Sequence, residues 1–177
     1  MIKLNIYNLQ NKKPSFIEYG FYTTEYGEII VFWTKKGICG LHFLVNSPDW
    51  HVALAQKKFP GTLFTYHPLM AKQWWERIIA AEVPIPILLY GTTFQQKVWK
   101  ALCTIPIGKT ISYQALSQQL GMGVHSTRAV AGAVAKNFIA LLIPCHRVVR
   151  KNGDLGGYRW GLQKKAMLLQ HSYKYYF

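Results

Sequence analysis

The fold of the C-terminal half is indicated by residues 111–136, ISYQALSQQLGMGVHSTRAVAGAVAK, in which a tight glycine turn separates two helical segments. The segments are residues 111–120 and 127–136. The turn is Gly121-Met122-Gly123, and the Ser126 hydroxyl can cap the helix that follows it. This arrangement predicts a helix-turn-helix, whose second helix enters a groove of DNA in many proteins. Any pair of antiparallel helices produces a similar pattern, so the pattern alone leaves the function open.

The second of these helices carries very small side chains between two basic ends. Arg128 opens the helix and Lys136 closes it. The small residues between them are Ala129, Gly132, Ala133 and Ala135. One interpretation is a helix that packs closely inside the protein. The other is a helix whose backbone approaches a nucleic-acid groove while Arg128 reaches into it.

A thiol lies beside an imidazole in residues 143–148, IPCHRV. A nucleophilic thiol needs a base or a positive field to lower its pKa. His146 is a candidate for the base, and Arg147 is a candidate for the positive charge. The alternative is an inert buried cysteine in a β-strand, where neighbouring side chains point to opposite faces. We expect Cys145 and His146 to lie on such a strand.

The charge of the chain is strongly asymmetric. The net charge is +14, from 21 basic and 7 acidic residues. Residues 1–90 carry nine Lys or Arg and six acids, whereas residues 91–177 carry twelve and a single acid, Asp154. A half-chain so poor in acids is typical of a surface that faces phosphate, so we expect a nucleic-acid partner rather than a simple solubilising surface. No basic amphipathic helix with a continuous apolar face appears, and we expect no membrane partner.

The composition is that of a globular intracellular protein without a metal or disulfide framework. Of the 177 residues, 50% are hydrophobic. The three cysteines are widely separated and lack metal-ligand spacing, so we expect no metal and no cofactor. No apolar run is long enough for a membrane span, and the first residues lack a signal-peptide core. We therefore expect a cytoplasmic protein.

The first half of the sequence is typical of β-structure. Strands are predicted at residues 16–19, 29–33 and 38–44, with glycine-bearing turns between them that suit a three-stranded antiparallel sheet. A helix capped by Ser47 runs to Lys58, and another strand is predicted at residues 63–66. A second helix follows Pro68, and residues 83–87 read as an extended link. We place the domain boundary after residue 90, giving domains 1–90 and 91–177.

The second half is mostly helical. A helix begins at Thr92 or Thr93, and a last helix covers residues 162–171. Between them, the two short helices, the expected Cys145 strand and a basic loop at residues 149–157 have the outline of a winged helix.

Several of these residues stand together in the order of a known family. They are Tyr113, Arg128, Asn137, Pro144-Cys145-His146-Arg147-Val148 and Tyr158-Arg159-Trp160-Gly161. The chain resembles the O6-alkylguanine-DNA alkyltransferases, and most of all the Ada-type C-terminal domain, over residues 91–171. The resemblance implies an α+β protein with a β-rich, ribonuclease-H-like N-terminal domain. A mainly helical winged-helix domain, with the helix-turn-helix, would follow and would bind DNA and carry the catalytic cysteine.

The resemblance also implies a reaction and a role for each matching residue. Cys145 would take the alkyl group from the guanine oxygen in one irreversible step, after the base has flipped out of the duplex. His146 would act as base through a water, and Tyr113 would rotate the phosphate and protonate the leaving guanine. Arg128 would fill the gap in the stack, and Asn137 would hold the recognition helix to the Cys145 segment. The base pocket would contain Tyr158, Val148 and Arg159. The other DNA contacts would be Ala129, Gly132, Lys136, Arg150 and Lys151.

One position departs from the family pattern. The last helix of the family supplies a glutamate that holds the catalytic histidine, and Ser172 stands at that position here. A hydroxyl cannot stabilise an imidazolium as a carboxylate does, so we expect slower transfer. Residues 138–140 lack the prolines of some members, and methyl is the alkyl group we expect.

Three other functions remain open at this point. The chain could be a non-catalytic alkyltransferase-like protein that binds the lesion, a winged-helix regulator, or a thiol hydrolase. Cys145 argues against the first, and no cysteine-rich segment supports the second. The expected partner is double-stranded DNA that contains O6-alkylguanine, and O4-methylthymine is a second candidate lesion. The expected state is a monomer that acts at the bacterial nucleoid.

Overall fold

The computed structural model describes residues 3–9 and 12–174, except for the side chains of residues 172–174. The chain divides into two compact units, Met1–Gly91 and Thr92–Phe177. They are called the first and second unit below. In the described ranges, no helix is long and apolar enough to cross a membrane.

The first unit is built on one six-stranded sheet and two helices. The strands are β1 (Leu4–Asn8), β2 (Phe16–Thr24), β3 (Gly27–Thr34), β4 (Gly37–Phe43), β5 (Leu63–Tyr66) and β6 (Ile85–Leu89). The helices are α1 (Pro48–Lys58) and α2 (Met70–Ala80). The sheet order is β1-β6-β4-β3-β2-β5, with β2, β3 and β4 antiparallel. The predicted three-stranded antiparallel sheet is therefore confirmed and forms the centre of a larger sheet.

The elements of the first unit begin and end where the local chemistry favours it. The Ser47 hydroxyl accepts a hydrogen bond from the Trp50 amide and caps α1, and Pro48 takes the first helical position. Strand β3 contributes an unbroken buried run, Ile29 to Trp33, because it lies between β4 and β2. Burying such side chains is the main favourable term in the stability of the unit.

The link expected at residues 83–87 is instead a strand at the sheet interior. Strand β6 pairs in parallel with β1 along its length but meets β4 only at Ile38 and Ile87. The Ile85 amide donates to Lys3 on the β1 side, so Pro86, which has no amide hydrogen, faces the sparsely bonded β4 side. An interior strand of the sheet therefore tolerates Pro86, although proline is usually found only in edge strands.

The second unit combines four helices with a two-stranded parallel sheet. The helices are α3 (Thr93–Leu102), α4 (Tyr113–Gln119), α5 (Thr127–Ala135) and α6 (Leu162–Lys174). The strands are β7 (Ile111–Ser112) and β8 (Val148–Val149), and two 3₁₀ turns cover Val124–Ser126 and Cys145–Arg147. The helix predicted at residues 111–120 starts two residues later, because Ile111 and Ser112 pair with β8 and Ser112 caps α4.

The helix-turn-helix is formed by α4, the turn that contains Gly121, and α5. Gly121 has a φ of +74°, a conformation that glycine adopts without strain. Helix α5 buries Val130, Ala133 and Val134 against the rest of the unit. The Trp99 indole of α3 donates to the Ala133 carbonyl at 2.9 Å and fixes α5 against α3. Ser126 forms no side-chain cap, since the preceding 3₁₀ turn leads directly into α5.

The strand predicted for the thiol and imidazole is wrong. Residues Cys145–Arg147 form a 3₁₀ turn that starts after Pro144, and the strand begins only at Val148. The Arg147 amide donates to the Pro144 carbonyl and closes this turn. Successive side chains of a 3₁₀ helix lie about 120° apart, so Cys145 and His146 diverge less than on a strand.

Candidate functional site

The Cys145 thiol lies at the bottom of a cavity of about 590 Å³ in the second unit. Only 4% of the residue is exposed. The cavity is lined by residues from α4, α5 and the loop before α6, among them Tyr113, Asn137, Tyr158, Arg159 and Trp160. A polarisable nucleophile therefore faces a partly open cavity large enough for a flat aromatic ligand.

Asn137 orients the sulfur of Cys145. The Asn137 Nδ2 atom lies 3.0 Å from Cys145 Sγ, and 3.1 Å from both the Ile139 and Ile143 carbonyl oxygens. Its Oδ1 atom accepts the Ile139 amide at 2.9 Å. Since Oδ1 faces a donor and Nδ2 faces acceptors, the amide orientation is fixed by its surroundings. The group that faces the sulfur is therefore a donor, and a donor stabilises a thiolate over a thiol.

The protonation of Cys145 is set by opposing effects. Burial raises the pKa of Cys145 to about 11, while the Asn137 hydrogen bond and then the charge of Lys165 act to lower it. Burial is the largest effect because a thiolate loses its hydration there. The thiol is thus the resting form near neutral pH, and a nucleophilic step requires loss of its proton.

His146 is buried and held neutral. Burial, followed by the positive charges of Arg147 and Lys165, lowers the pKa of His146 to about 3. Its Nδ1 atom is buried without a hydrogen-bond partner among the described residues. A neutral imidazole retains a lone pair that can accept a proton, but no partner in the described region stabilises the resulting cation.

Lys165 is the main residue of the site that the sequence interpretation missed. Its side chain is fully buried, and its ammonium donates to the carbonyls of Val148 (2.6 Å), Leu155 and Gly157. Burial lowers the pKa of Lys165 to about 8, and the charge of Cys145 acts in the opposite sense. The helical spacing could have indicated its burial, because Lys165 lies one turn before Leu168 and shares a helix face with that buried residue. Lys165 both joins β8 to the loop over the cavity and places a positive charge near the sulfur.

Two tyrosines form walls of the cavity. Tyr113 opens α4, and burial followed by the charge of Cys145 raises its pKa. Tyr158 is close enough to Cys145 to interact with it, and burial raises the pKa of its hydroxyl well above the usual value. Gly156 has a φ of +65°, and a Cβ there would lie 3.3 Å from the Tyr113 ring. The loop therefore passes Tyr113 at a distance that suits glycine.

Arg159 and Val148 occupy different environments, although both were expected in a base pocket. Arg159 lines the cavity and donates through Nε and Nη2 to the Ala135 carbonyl at the end of α5, at 3.2 and 3.0 Å. Val148 is fully buried in β8, is paired with Ile111, and is not among the residues that line the cavity. The Val148 side chain therefore lies in the interior, and its expected place in a base pocket stays a prediction.

The residues expected to contact DNA are exposed. Arg128, Ala129, Gly132 and Lys136 lie on the outer face of α5, opposite Val130, Ala133 and Val134. A Cβ added at Gly132 would meet no atom within 4 Å. Arg150 and Lys151 are exposed in the loop after β8. Of the small side chains of α5, Ala133 packs in the interior, whereas Ala129, Gly132 and Ala135 are exposed and leave a bare outer face.

Asp154, the single acid of the second half, and Ser172, which stands in place of the family glutamate, occupy different parts of the second unit. Asp154 accepts a hydrogen bond from Asn152 at 2.7 Å within the exposed loop, so it is engaged there. Ser172 lies in α6, but its side chain falls outside the described part of the chain. Among the described residues, no group of three His, Cys, Asp or Glu side chains could hold a metal ion.

Comparison with known proteins shows which family the chain resembles in sequence. Residues 93–173 match the family model described as "6-O-methylguanine DNA methyltransferase, DNA binding domain". The bifunctional transcriptional activator/DNA repair enzyme Ada of Escherichia coli is 39% identical over 160 residues, which is 87% of this chain and 45% of that protein. The inducible methylated-DNA--protein-cysteine methyltransferase of Bacillus subtilis is 36% identical over 121 residues, 65% of this chain and 67% of that protein.

The fold is similar to that of solved structures of methyltransferases. The crystal structure of Mycobacterium tuberculosis O6-methylguanine methyltransferase has a TM-score of 0.73 and 29% identity, covering 91% of this chain and 95% of that one. The crystal structure of Mycobacterium tuberculosis OGT in complex with DNA has a TM-score of 0.71 and 31% identity, covering 89% and 93%. The chain belongs to the O6-methylguanine-DNA methyltransferase family, with a mixed α+β fold. It spans about 45% of the length of the two Ada proteins it matches.

Proposed function

We propose that this protein repairs DNA by transferring a methyl group from O6-methylguanine to the sulfur of Cys145, once per molecule. The observation that carries this proposal is the contact between Asn137 and Cys145 Sγ at the bottom of the cavity. A hydrogen-bonded thiol in a partly aromatic cleft suits transfer to sulfur from a flat base. The methyltransferase activity named for the relatives supports the same chemistry.

The proposed step is an in-line displacement. Cys145 loses its proton, and a sulfur lone pair forms the new bond to the methyl carbon while the bond from that carbon to guanine O6 breaks. The electron pair stays on the guanine, which takes up one proton and leaves as normal guanine. The thioether has no leaving group for a return step, so the protein is consumed. His146, through a bridging water, receives the thiol proton, and Tyr113 supplies a proton to the guanine.

The base must leave the duplex for this geometry to arise. Reacting atoms in such a displacement approach to about 3.5 Å, which a stacked base cannot reach. The exposed face of α5 suits a narrow groove, with Arg128 filling the gap and Arg150, Lys151 and Lys136 contacting phosphates. Tyr158 and Arg159 would then border the flipped base. We assign the partner as double-stranded DNA containing O6-alkylguanine, bound by a monomer at the nucleoid.

The finer fold description is part of the same proposal. We describe the first unit as ribonuclease-H-like, supported by the antiparallel β2-β3-β4 sheet with helices after it. We describe the second unit as a winged helix, supported by α4 and α5 and by the loop after β8.

The test is the intact mass of the protein after mixing with an oligonucleotide that contains one O6-methylguanine. We expect one added methyl group per protein, mapped to the peptide of Cys145, and no addition in Cys145→Ser. Cys103→Ser is the matched control and should still gain the methyl group. Tight binding of the modified DNA with no mass change would contradict transfer and favour the non-catalytic lesion-binding function. Repeated turnover of a small ester would favour the hydrolase.

A further inference from the structure

A second cavity, of about 630 Å³, lies entirely within the first unit. We name it the lysine cavity, after Lys12, Lys13, Lys35 and Lys36, which line it together with Phe16, Leu9 and Leu88. None of its lining residues is acidic. It contains four of the nine Lys and Arg of residues 1–90, although that half has a net charge of only +3.

The four lysines line the cavity without an acidic residue beside them. In the ranges that the structure describes, the recorded ion pair joins Lys72 and Glu76, and none involves the lysine cavity. Exposed positive side chains that border one cavity attract an anion, with an energy that solvent and salt reduce. The cavity therefore has the electrostatics of an anion site.

The walls of the lysine cavity are held in place by contacts outside it. The Lys13 ammonium donates to the Pro60 carbonyl, and the Thr62 hydroxyl donates to the Pro14 carbonyl at 2.6 Å. Lys35 and Lys36 occupy the turn between β3 and β4, where the Lys36 amide donates to the Thr34 hydroxyl at 3.0 Å. Both lysine pairs thus lie on anchored loops, and a preorganised site loses less entropy on binding.

The cavity also has an apolar side that a simple anion would not use. Leu88 is buried beneath it, whereas Phe16 is 41% exposed and presents part of its ring. Exposed aromatic rings beside basic side chains are the combination on which nucleic-acid bases stack while phosphates meet ammonium groups. The volume exceeds that needed for a phosphate ion alone.

We propose that the lysine cavity binds a nucleotide unit, with the phosphate against Lys12, Lys35 and Lys36 and the base against Phe16. The unit could be a free nucleotide or one residue of a nucleic-acid strand, and both present the same phosphate and base. This site uses no residue of the second unit and is independent of Cys145.

The test is an amide NMR titration of the full chain with thymidine 5′-monophosphate, inorganic phosphate and a thymidine tetranucleotide. We expect saturable shifts around Phe16 and Lys36 with the nucleotide. The variant Lys35→Ala/Lys36→Ala should weaken this binding about tenfold, as loss of two charge-assisted contacts predicts. The charge-matched control Lys3→Ala/Lys57→Ala removes two exposed lysines outside the cavity and should bind as the wild type does.

Phe16→Leu tests recognition of the base, because it removes the ring and keeps an apolar side chain. It should lower the preference for the nucleotide over inorganic phosphate. Equal affinity of the wild type for both ligands, or no shifts in the first unit, would overturn the proposal. Equal loss in the two lysine double variants would also overturn it, since only net charge would then matter.

Comparing the tetranucleotide with the monophosphate decides whether the natural ligand is a strand or a free nucleotide. If a strand is the natural ligand, the tetranucleotide binds more tightly than the monophosphate and loses affinity more steeply between about 50 and about 200 mM salt. If a free nucleotide is the ligand, the two bind alike. Methyl transfer to Cys145 is scored separately by mass, so failure at this site is distinguishable from failure of the proposed repair function.

Discussion

The Asn137 side-chain amide lies 3.0 Å from the Cys145 sulfur while also holding the carbonyls of Ile139 and Ile143. One buried residue thus fixes the backbone before the 3₁₀ turn and supplies a donor to the thiol. Stability and reactivity should therefore be lost together when this amide is changed.

Asn137→Asp should lower the free energy of unfolding by about 3 kcal/mol, because an acceptor would replace the donor facing two buried carbonyls. It should also raise the pKa of Cys145 further, since a carboxylate disfavours a nearby thiolate. Thermal unfolding and the pH dependence of Cys145 alkylation by iodoacetamide measure the two effects. Asn152→Asp, in the exposed loop, is the matched control and should change neither by much.

The rate of methyl transfer should rise with pH. The pKa of Cys145 is raised to about 11, so the thiolate fraction increases about tenfold for each unit between about pH 7 and about pH 9. Single-turnover transfer from an oligonucleotide measures this at constant salt. A rate that stays level over the range would show that the thiolate is not formed before the chemical step.

Ser172→Glu should accelerate transfer, by about tenfold, if a carboxylate can pair with His146 and stabilise its protonated form. His146 Nδ1 is buried and has no partner among the described residues, which is the reason to expect a gain. Gln170→Glu adds the same charge at an exposed position of α6 and serves as the control. An unchanged rate in Ser172→Glu, or an equal gain in both variants, would contradict a specific effect on His146.

The stability of the protein should fall as the pH decreases below about 6.5. The pKa of His146 is lowered to about 3 in the folded chain, so the unfolded chain binds a proton that the folded chain does not. The contribution of His146 to the free energy of unfolding is complete above the pKa of the histidine in the unfolded chain. Below that pKa it falls by about 1.4 kcal/mol per pH unit, until the pKa of His146 in the folded chain is reached. Comparing urea unfolding of wild type and His146→Gln at about pH 6.5 and about pH 5.5 should show a shallower slope for the variant.

His125 provides the control for that comparison. It is exposed in the 3₁₀ turn before α5, so His125→Gln should keep the slope of the wild type. Equal slopes in the wild type and His146→Gln would mean that His146 is protonated without cost in the folded chain.

Gly132 allows the fold and the DNA-facing role of α5 to be separated. Gly132→Ala should stabilise the protein by about 0.5–1 kcal/mol, because nothing lies near the added methyl and alanine favours helix. Gly132→Leu should leave the fold intact and weaken DNA binding, since a large side chain would keep the helix out of the groove. Thermal unfolding and fluorescence anisotropy with a labelled duplex measure the two effects. Unaltered DNA affinity in Gly132→Leu would exclude this face of α5 from the interface.

Much of the fold is readable from local patterns. The central three strands, the Ser47 cap of α1 and the Thr92 cap of α3 follow from hydrophobic runs, turn glycines and capping residues, which act over a few positions. The strands β1 and β6 were not predicted: β6 lies in a proline-containing segment, which becomes a strand only when its neighbours satisfy it, and the short β1 pairs with β6 alone. A similar reason explains why Cys145 lies in a 3₁₀ turn where a strand was expected. The turn is closed by the hydrogen bond to the Pro144 carbonyl and not by the helix propensity of its residues.

The sequence by itself determined the candidate thiol, the basic second half and the small residues of α5, because residue type alone carries nucleophilicity, charge and side-chain size. Only the tertiary structure decided which groups surround that thiol. It brought the Asn137 amide and the buried Lys165 ammonium toward Cys145, moved Val148 into the interior, and placed two separate lysine pairs around one cavity. Hydrogen bonding and burial depend on separations in space, and residues far apart in the chain acquire those separations only when it folds.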